Sequence, residues 1–297
     1  MTQERPAEPY EYAEIHMGLP VRIRMYAADR SAAEAAARAA FARIAELDRM
    51  MSDYRPDSEL RRLSSRGQQW TAVSAELFEV LERAVTIARM TDGAFDPTVG
   101  PLVALWREAQ ATRRLPDPQA ISRARSIVGW RLIALDRARR AVRLVRPGMQ
   151  LDFGAIAKGY ILQQSLSVLR DMRVPSALIQ SGGDIVVGAA PPGRDGWDIQ
   201  VDRANVRLSS RAARLTNAAL ATSGPTEQFA DIDGRRYSHV IDPRTGMALT
   251  NRVIAHVIAP DGATADALST ALTVLARDRR AAVLARFGDV LASVVVE

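Results

Sequence analysis

The chain has 297 residues, 47% hydrophobic and 25% charged, with 40 basic and 34 acidic side chains and a net charge of +6. This composition is that of a globular protein long enough for one large domain or two. The absence of cysteine excludes disulfides, thiolate nucleophiles, Cys-ligated metals and a lipidated N-terminal cysteine. Its arginines are spread among acidic residues, which reads as a solvated mixed surface rather than a face for nucleic acid or acidic lipid.

The opening run, MTQERPAEPYEYAEIHMGLP, has no basic segment followed by an apolar one, and no apolar stretch reaches the roughly 18 residues of a membrane span. A cytoplasmic protein is expected. Residues 1–12 read as a polar arm and residues 13–297 as a single domain. VRIRMYA alternates as a strand, and SAAEAAARAAFARIAELDRMM follows as a helix behind a Ser31/Glu34 capping box. SDYRPDSEL interrupts with turn residues, and Ser74 opens a second long helix to about Met90. TDGAFDPTVGP breaks that helix, and its content of Gly, Pro and Asp argues against a place in the core.

From Trp130 the pattern changes to the short β-like runs WRLIAL, AVRLV and MQLDFG, with a helix after Gly154 and then SALIQSGGDIVVGA. A second β-rich block runs from Trp197 to about Ile258. The helix TADALSTALTVLA, a short helix near Ala281 and a closing strand, VLASVVV, complete the chain. Helices and strands alternate only in part, and no repeat or long linker occurs, so the fold class is mixed α+β.

Lys158, in LDFGAIAKGY, is the only lysine among the 40 basic residues. Lysine is a compact charge on a flexible stem, suited to a single phosphate oxygen or to proton transfer, whereas arginine is a broad fork that keeps its proton. The alternative is chance survival of a solvated lysine. Its segment reads as a strand-to-helix junction, where free N–H groups favour an anion, although the P-loop pattern is not matched. SGGD (Ser181 to Asp184) is a tight turn or a second anion-binding turn. YSHVIDPRTG holds His239 next to a Pro-primed turn and reads as a plain hairpin or as a rigid strand end holding His239 as an acid/base group or phosphate ligand; His16 and His256 read as surface or structural. In ADALSTAL, Asp266, Ser269 and Thr270 share one helix face. Hard oxygen donors suit Mg2+, while the plain reading is a polar stripe bonded back to the helix carbonyls.

MSDYRPDSEL, GAFDPTVGPLVALW, DFGAIAKGY, SGGDI, ATSG, YSHVIDPRTG and ADALSTAL, in this order from about His16 onward, resemble the ApbE family of FAD:protein FMN transferases. The resemblance implies antiparallel-rich sheets packed by helices, two-lobed, with the flavin site in a central cleft. It implies a Mg2+-dependent transferase that splits FAD, joins FMN through its phosphate to a Thr or Ser hydroxyl of an acceptor protein carrying an Asp-x-Ser/Thr-Gly-Ala-Ser/Thr motif, and releases AMP. Carried over by position, Met17, Tyr54, Ala94, Phe95, Asp96, Asp152, Lys158 and Ile241 would bind the flavin nucleotide. Ala155, through its carbonyl, with Asp266, Ser269 and Thr270 would hold the metal, and His239 or Asp266 would take the hydroxyl proton.

HMGLP, GYILQQ and IQSGGD, with Gln180 and Ser181, depart from the family's usual runs and bear on the flavin rim and the acceptor side. Many relatives are exported lipoproteins with an N-terminal Cys; the chain resembles the cytoplasmic branch. An FAD pyrophosphatase and a flavin-storage protein are the competing readings.

Overall fold

The structure, a computed structural model, describes residues 8–199, 213–224 and 229–296. β1 (Tyr10–His16) and β2 (Leu19–Met25) pair in register from Tyr10↔Met25 to His16↔Leu19, so pairing begins inside the expected polar arm. The turn between them places Met17 at φ 52° and Gly18 at φ 72°, the left-handed pair that a two-residue hairpin requires. α1 (Arg30–Met51) starts one residue before Ser31. Its cap is Asp29, whose Oδ1 accepts from the Ala32 N–H at 2.8 Å, so the Ser31/Glu34 capping box does not form. Two residues able to cap stood two positions apart, and the earlier one takes the role.

α2 (Glu59–Arg66) and β3 (Thr71–Ala72) lead to α3 (Ala75–Met90), capped by Ser74 as expected. The loop that follows corrects an expectation: Thr91, Ala94, Phe95, Asp96 and Thr98 are all buried. Its polar groups are satisfied internally, which removes the cost of burying them. Asp96 accepts from the Thr98 N–H at 2.9 Å, the Thr98 hydroxyl at 2.6 Å and the Trp130 N–H at 2.8 Å, while Thr98 Oγ1 accepts from the Gly129 N–H at 2.7 Å.

α4 (Gly100–Thr112) and α5 (Pro118–Arg125) pack together, followed by the hairpin of β4 (Ile133–Asp136) and β5 (Ala141–Leu144), which β3 extends. MQLDFG contributes only a bridge, Val99↔Gln150, and not a full strand. Then come α6 (Ala157–Asp171), β6 (Ala177–Ser181) and β7 (Asp184–Val187). The β-rich block supplies β8 (Trp197–Ile199), β9 (Ala213–Leu215), β10 (Ala218–Ser223), β11 (Phe229–Ile232), β12 (Arg235–Ser238), β13 (Ile241–Asp242), β14 (Met247–Ala248) and β15 (Val253–Ala259). Residues 200–212 and 225–228 of that block lie outside the described residues. α7 (Gly262–Val274), α8 (Arg277–Leu284) and β16 (Leu291–Val296) close the chain.

The main sheet runs β1-β2-β6-β7-β10-β15-β16 and every neighbouring pair is antiparallel. Buried residues alternate along its strands, as in Val21, Ile23 and Met25, and meet the apolar faces of α1, α6 and α7 in one core. A smaller cluster gathers Leu102 and Trp106 of α4 with Tyr237 and Ile241, fastened by the Trp106 Nε1–H to the Gly246 carbonyl at 2.9 Å. Among the described residues no helix is long and apolar enough to cross a membrane.

α6 and α7 cross at bare backbone. A Cβ on Gly159 would lie 2.0 Å from the Gly262 carbonyl oxygen, and one on Gly262 would lie 2.1 Å from the Gly159 carbonyl oxygen. Only glycine at both positions permits this approach. It brings the first turn of α6 against the face of α7 that carries Asp266.

Candidate active site

Four elements converge at that crossing. Lys158, in the first turn of α6, hydrogen-bonds through its ammonium to Asp184 at the start of β7. Asp184 is 3% exposed at its side chain and Lys158 is 29% exposed, so the pair is anchored on the acid and open on the lysine. The next residue, Gly159, donates its N–H to Asp266 Oδ2 at 3.2 Å. That bond uses one of the free N–H groups every helix start leaves.

Asp266 is 2% exposed, and its carboxyl is pushed up to about 7, first by burial and then by the negative charge of Asp184; Lys158 and the Gly159 N–H oppose the rise. On the same face of α7, Thr270 Oγ1 and Ser269 Oγ lie 3.0 Å and 2.8 Å from Ser223 Oγ at the end of β10. Ser269 also bonds back to the Asp266 carbonyl at 2.9 Å, the plain reading of that residue.

This donor set fits Mg2+. Burial and the charge of Asp184 hold the Asp266 carboxyl towards its neutral form, and a divalent cation beside it would favour the ionised form. The hydroxyls around that carboxyl are hard oxygens, and among the described residues no three His, Cys, Asp or Glu side chains form a closed metal cage. Such a set leaves positions for water and phosphate oxygens, as Mg2+ prefers. Ala155 lies in the turn before α6, three residues from Lys158.

Of the remaining expected residues, Ala94, Phe95, Asp96, Asp152 and Tyr54 form a second group joined to the first by the Leu151–Lys158 segment, whereas Met17, His239 and Ile241 lie on other elements. The Asp152 N–H donates to the Pro97 carbonyl at 2.9 Å, tying this segment to the Ala94–Phe95–Asp96 loop. Ala94 and Phe95 are buried, and the Asp96 carboxylate is taken up by Thr98 and Trp130. Asp152 Oδ1 accepts from the Gly154 N–H at 2.8 Å. Its carboxyl is pushed up to about 6 by burial and by the charge of Asp53. Tyr54 is 77% exposed, and the Arg107 guanidinium lies over its ring at 4.2 Å from the centroid.

Met17 donates its N–H to Asp48 Oδ2 at 3.3 Å in the β1–β2 turn. His239 is exposed in the bend after β12, and Ile241, buried, opens β13. His16 stacks on Phe41 at 5.7 Å, and His256 is buried with Nδ1 2.9 Å from Thr222 Oγ1, so both have structural partners.

Sequence reading passed over Ser223, Asp53 and Arg107, and it left Asp184 as one of two readings of a glycine turn. Asp184 had a usable signal, a carboxylate just after Gly-Gly at a strand end. Ser223 lies in the ATSG segment but has no pattern of its own.

The comparisons with known proteins bear on the chain as a whole. The model of the ApbE family matches residues 17–294. A FAD:protein FMN transferase of Treponema pallidum is 33% identical over 300 residues, covering 95% of this chain and 83% of that protein. The crystal structure of the ApbE protein of Thermotoga maritima superposes with a TM-score of 0.85 at 29% identity, covering 97% of this chain and 94% of that one. The apo flavinyl transferase ApbE of Pseudomonas stutzeri gives 0.85 at 27% identity, covering 98% and 92%. A match of this extent, over a chain whose Lys158, Asp184 and Asp266 meet at the α6–α7 crossing, makes this chain a member of the ApbE family.

Proposed function

We propose that this protein transfers FMN from FAD to a Ser or Thr hydroxyl of an acceptor protein, in a Mg2+-dependent reaction that releases AMP. The observation that carries this reading is the meeting of Lys158, Asp184 and Asp266 with the hydroxyls of Ser223 and Thr270 at the start of α6. The names of the relatives supply the substrate.

Phosphoryl transfer asks mainly for positioning and charge neutralisation. The Asp266 carboxylate, Thr270 Oγ1 and the Ala155 carbonyl would hold Mg2+, with Ser269 beside them, and the ion when bound would supply Lewis acidity towards the pyrophosphate. Lys158 reaches a phosphate oxygen from the solvent side, aimed by Asp184 behind it. Tyr54 flanks the isoalloxazine ring, and Asp152 and the Ala94–Asp96 loop seat the nucleotide. The acceptor hydroxyl oxygen forms a bond to the FMN phosphorus, and the bond from that phosphorus to the bridging oxygen breaks. AMP leaves with the bridging oxygen, and the hydroxyl proton passes to His239 or Asp266.

Incubation with FAD, Mg2+ and an acceptor bearing the Asp-x-Ser/Thr-Gly-Ala-Ser/Thr motif is expected to add the mass of FMN less one water to the acceptor. An unmodified acceptor, under conditions where FAD binding is demonstrated, overturns the transfer reading. Free FMN and AMP in its place would put water where the hydroxyl should be.

A further inference from the structure

Arg107 follows directly on GAFDPTVGPLVALW, and that motif gives it no role. Its Nη2–H donates to Asp53 Oδ2 at 2.5 Å and lies 3.7 Å from Asp152 Oδ2. Its guanidinium carbon sits 4.2 Å from the centroid of the Tyr54 ring. The partners come from separate parts of the chain: Asp53 and Tyr54 from the turn between α1 and α2, Arg107 from α4, and Asp152 from the segment before α6.

An exposed ion pair contributes little, because water competes for both partners. This cluster differs on two counts. Asp53 and Asp152 are 14% and 11% exposed at their side chains, so their negative charges depend on Arg107. One planar cation also serves two carboxylates and an aromatic face together, a task that needs the guanidinium's shape. With Arg107 against one face of a ring that is 77% exposed, the outer face of Tyr54 stays open to a flat heteroaromatic group.

We propose that Arg107 is a positioning residue for the flavin nucleotide: it fixes the plane of Tyr54 for stacking and holds Asp152 at the set distance from that ring. This rests on the proposed flavin-transfer reading for the identity of the ligand. It concerns binding alone, since Arg107 contacts Asp53, Tyr54 and Asp152, whereas the phosphate chemistry is proposed at Lys158 and Asp266.

The test measures FAD affinity by flavin fluorescence with Mg2+ and no acceptor, and KM for FAD and kcat with acceptor. Arg107→Ala is expected to raise Kd and KM about tenfold while kcat stays within about twofold, the loss expected when a half-exposed guanidinium leaves two nearly buried carboxylates and an aromatic face. Arg107→Lys is expected to recover less than half of that loss, because an ammonium cannot bridge both acids and the ring. Adding Tyr54→Ala to Arg107→Ala is expected to weaken binding little further, as coupled residues do.

Unchanged Kd and KM in Arg107→Ala, or a fall in kcat at constant KM, overturns the proposal, as does full additivity of the two substitutions. If Arg107→Ala fails to fold, Arg107→Lys provides the comparison, and wild-type Kd in that variant overturns it equally. A wild-type protein that binds FAD but modifies no acceptor refutes the transfer reading, and the Kd ratio still decides the role of Arg107.

Discussion

The ammonium of Lys158 is held by Asp184, a residue 26 positions away on another element, and that acid is 3% exposed at its side chain. The lysine is thus placed by the sheet as well as by its own helix. Asp184 also raises the Asp266 carboxyl, so the three side chains form one electrostatic unit.

Lys158→Arg keeps the charge but places a wide fork where a point charge meets a buried acid beside two touching helix backbones. The transfer rate is expected to fall at least about tenfold, with the fold intact by circular dichroism. Full activity would return the sole lysine of the chain to chance survival.

Asp266→Ala and His239→Ala separate metal holding from other roles. Asp266→Ala removes the one formal negative charge among the proposed metal ligands. Most activity is expected to be lost; Mg2+ is expected to raise the melting temperature of the wild-type protein and to leave that of Asp266→Ala unchanged. His239→Ala is expected to lower kcat while leaving the Mg2+ effect on melting in place. A Mg2+ shift preserved in Asp266→Ala would sink the metal assignment.

How far this site was legible in the sequence follows from the range of each interaction. Lys158 stood out because its surroundings are all arginine, and Asp266 and Thr270 because helical spacing alone puts them on one face. The pairing of Lys158 with Asp184 and the placing of Ser223 against Thr270 are products of sheet order, which no local pattern encodes. The Gly93–Gly100 loop was misjudged for the same reason. Its Gly, Pro and Asp correctly signalled a break in the helix, but its burial depends on Asp96 reaching the Trp130 N–H, 34 residues on. The start of α1 is a local matter in which Asp29 and Ser31 were both able to cap.

Gly159→Ala tests whether the α6–α7 contact sets the site. Its Cβ would meet the Gly262 carbonyl oxygen at 2.0 Å, and backbone cannot move aside as a flexible side chain can. The helices must separate, at an expected cost of about 2–3 kcal/mol. Separation also pulls the Gly159 N–H from Asp266, so activity should fall even in the fraction that remains folded. Thermal melting combined with activity per folded molecule measures both, and wild-type values in either would contradict the close crossing.

Asp152 links stability to pH in a direction set by its surroundings. Burial and the charge of Asp53 push its carboxyl up to about 6, above the roughly 3.9 of an unfolded aspartate. The folded state therefore holds this proton more tightly. Its stabilising contribution is complete below about pH 4 and is lost as the pH rises through about 6. Asp152→Asn removes the ionisation and keeps the shape. The variant is expected to be more stable than wild type at pH 8 by roughly 1–2 kcal/mol, with the gap closing towards pH 4, as read by denaturant unfolding across that range. The same variant should bind FAD more weakly, because the carboxylate costly to the empty fold is the one the nucleotide uses. Equal stability at pH 8 would mean that Arg107, 3.7 Å away, already compensates the buried charge in full.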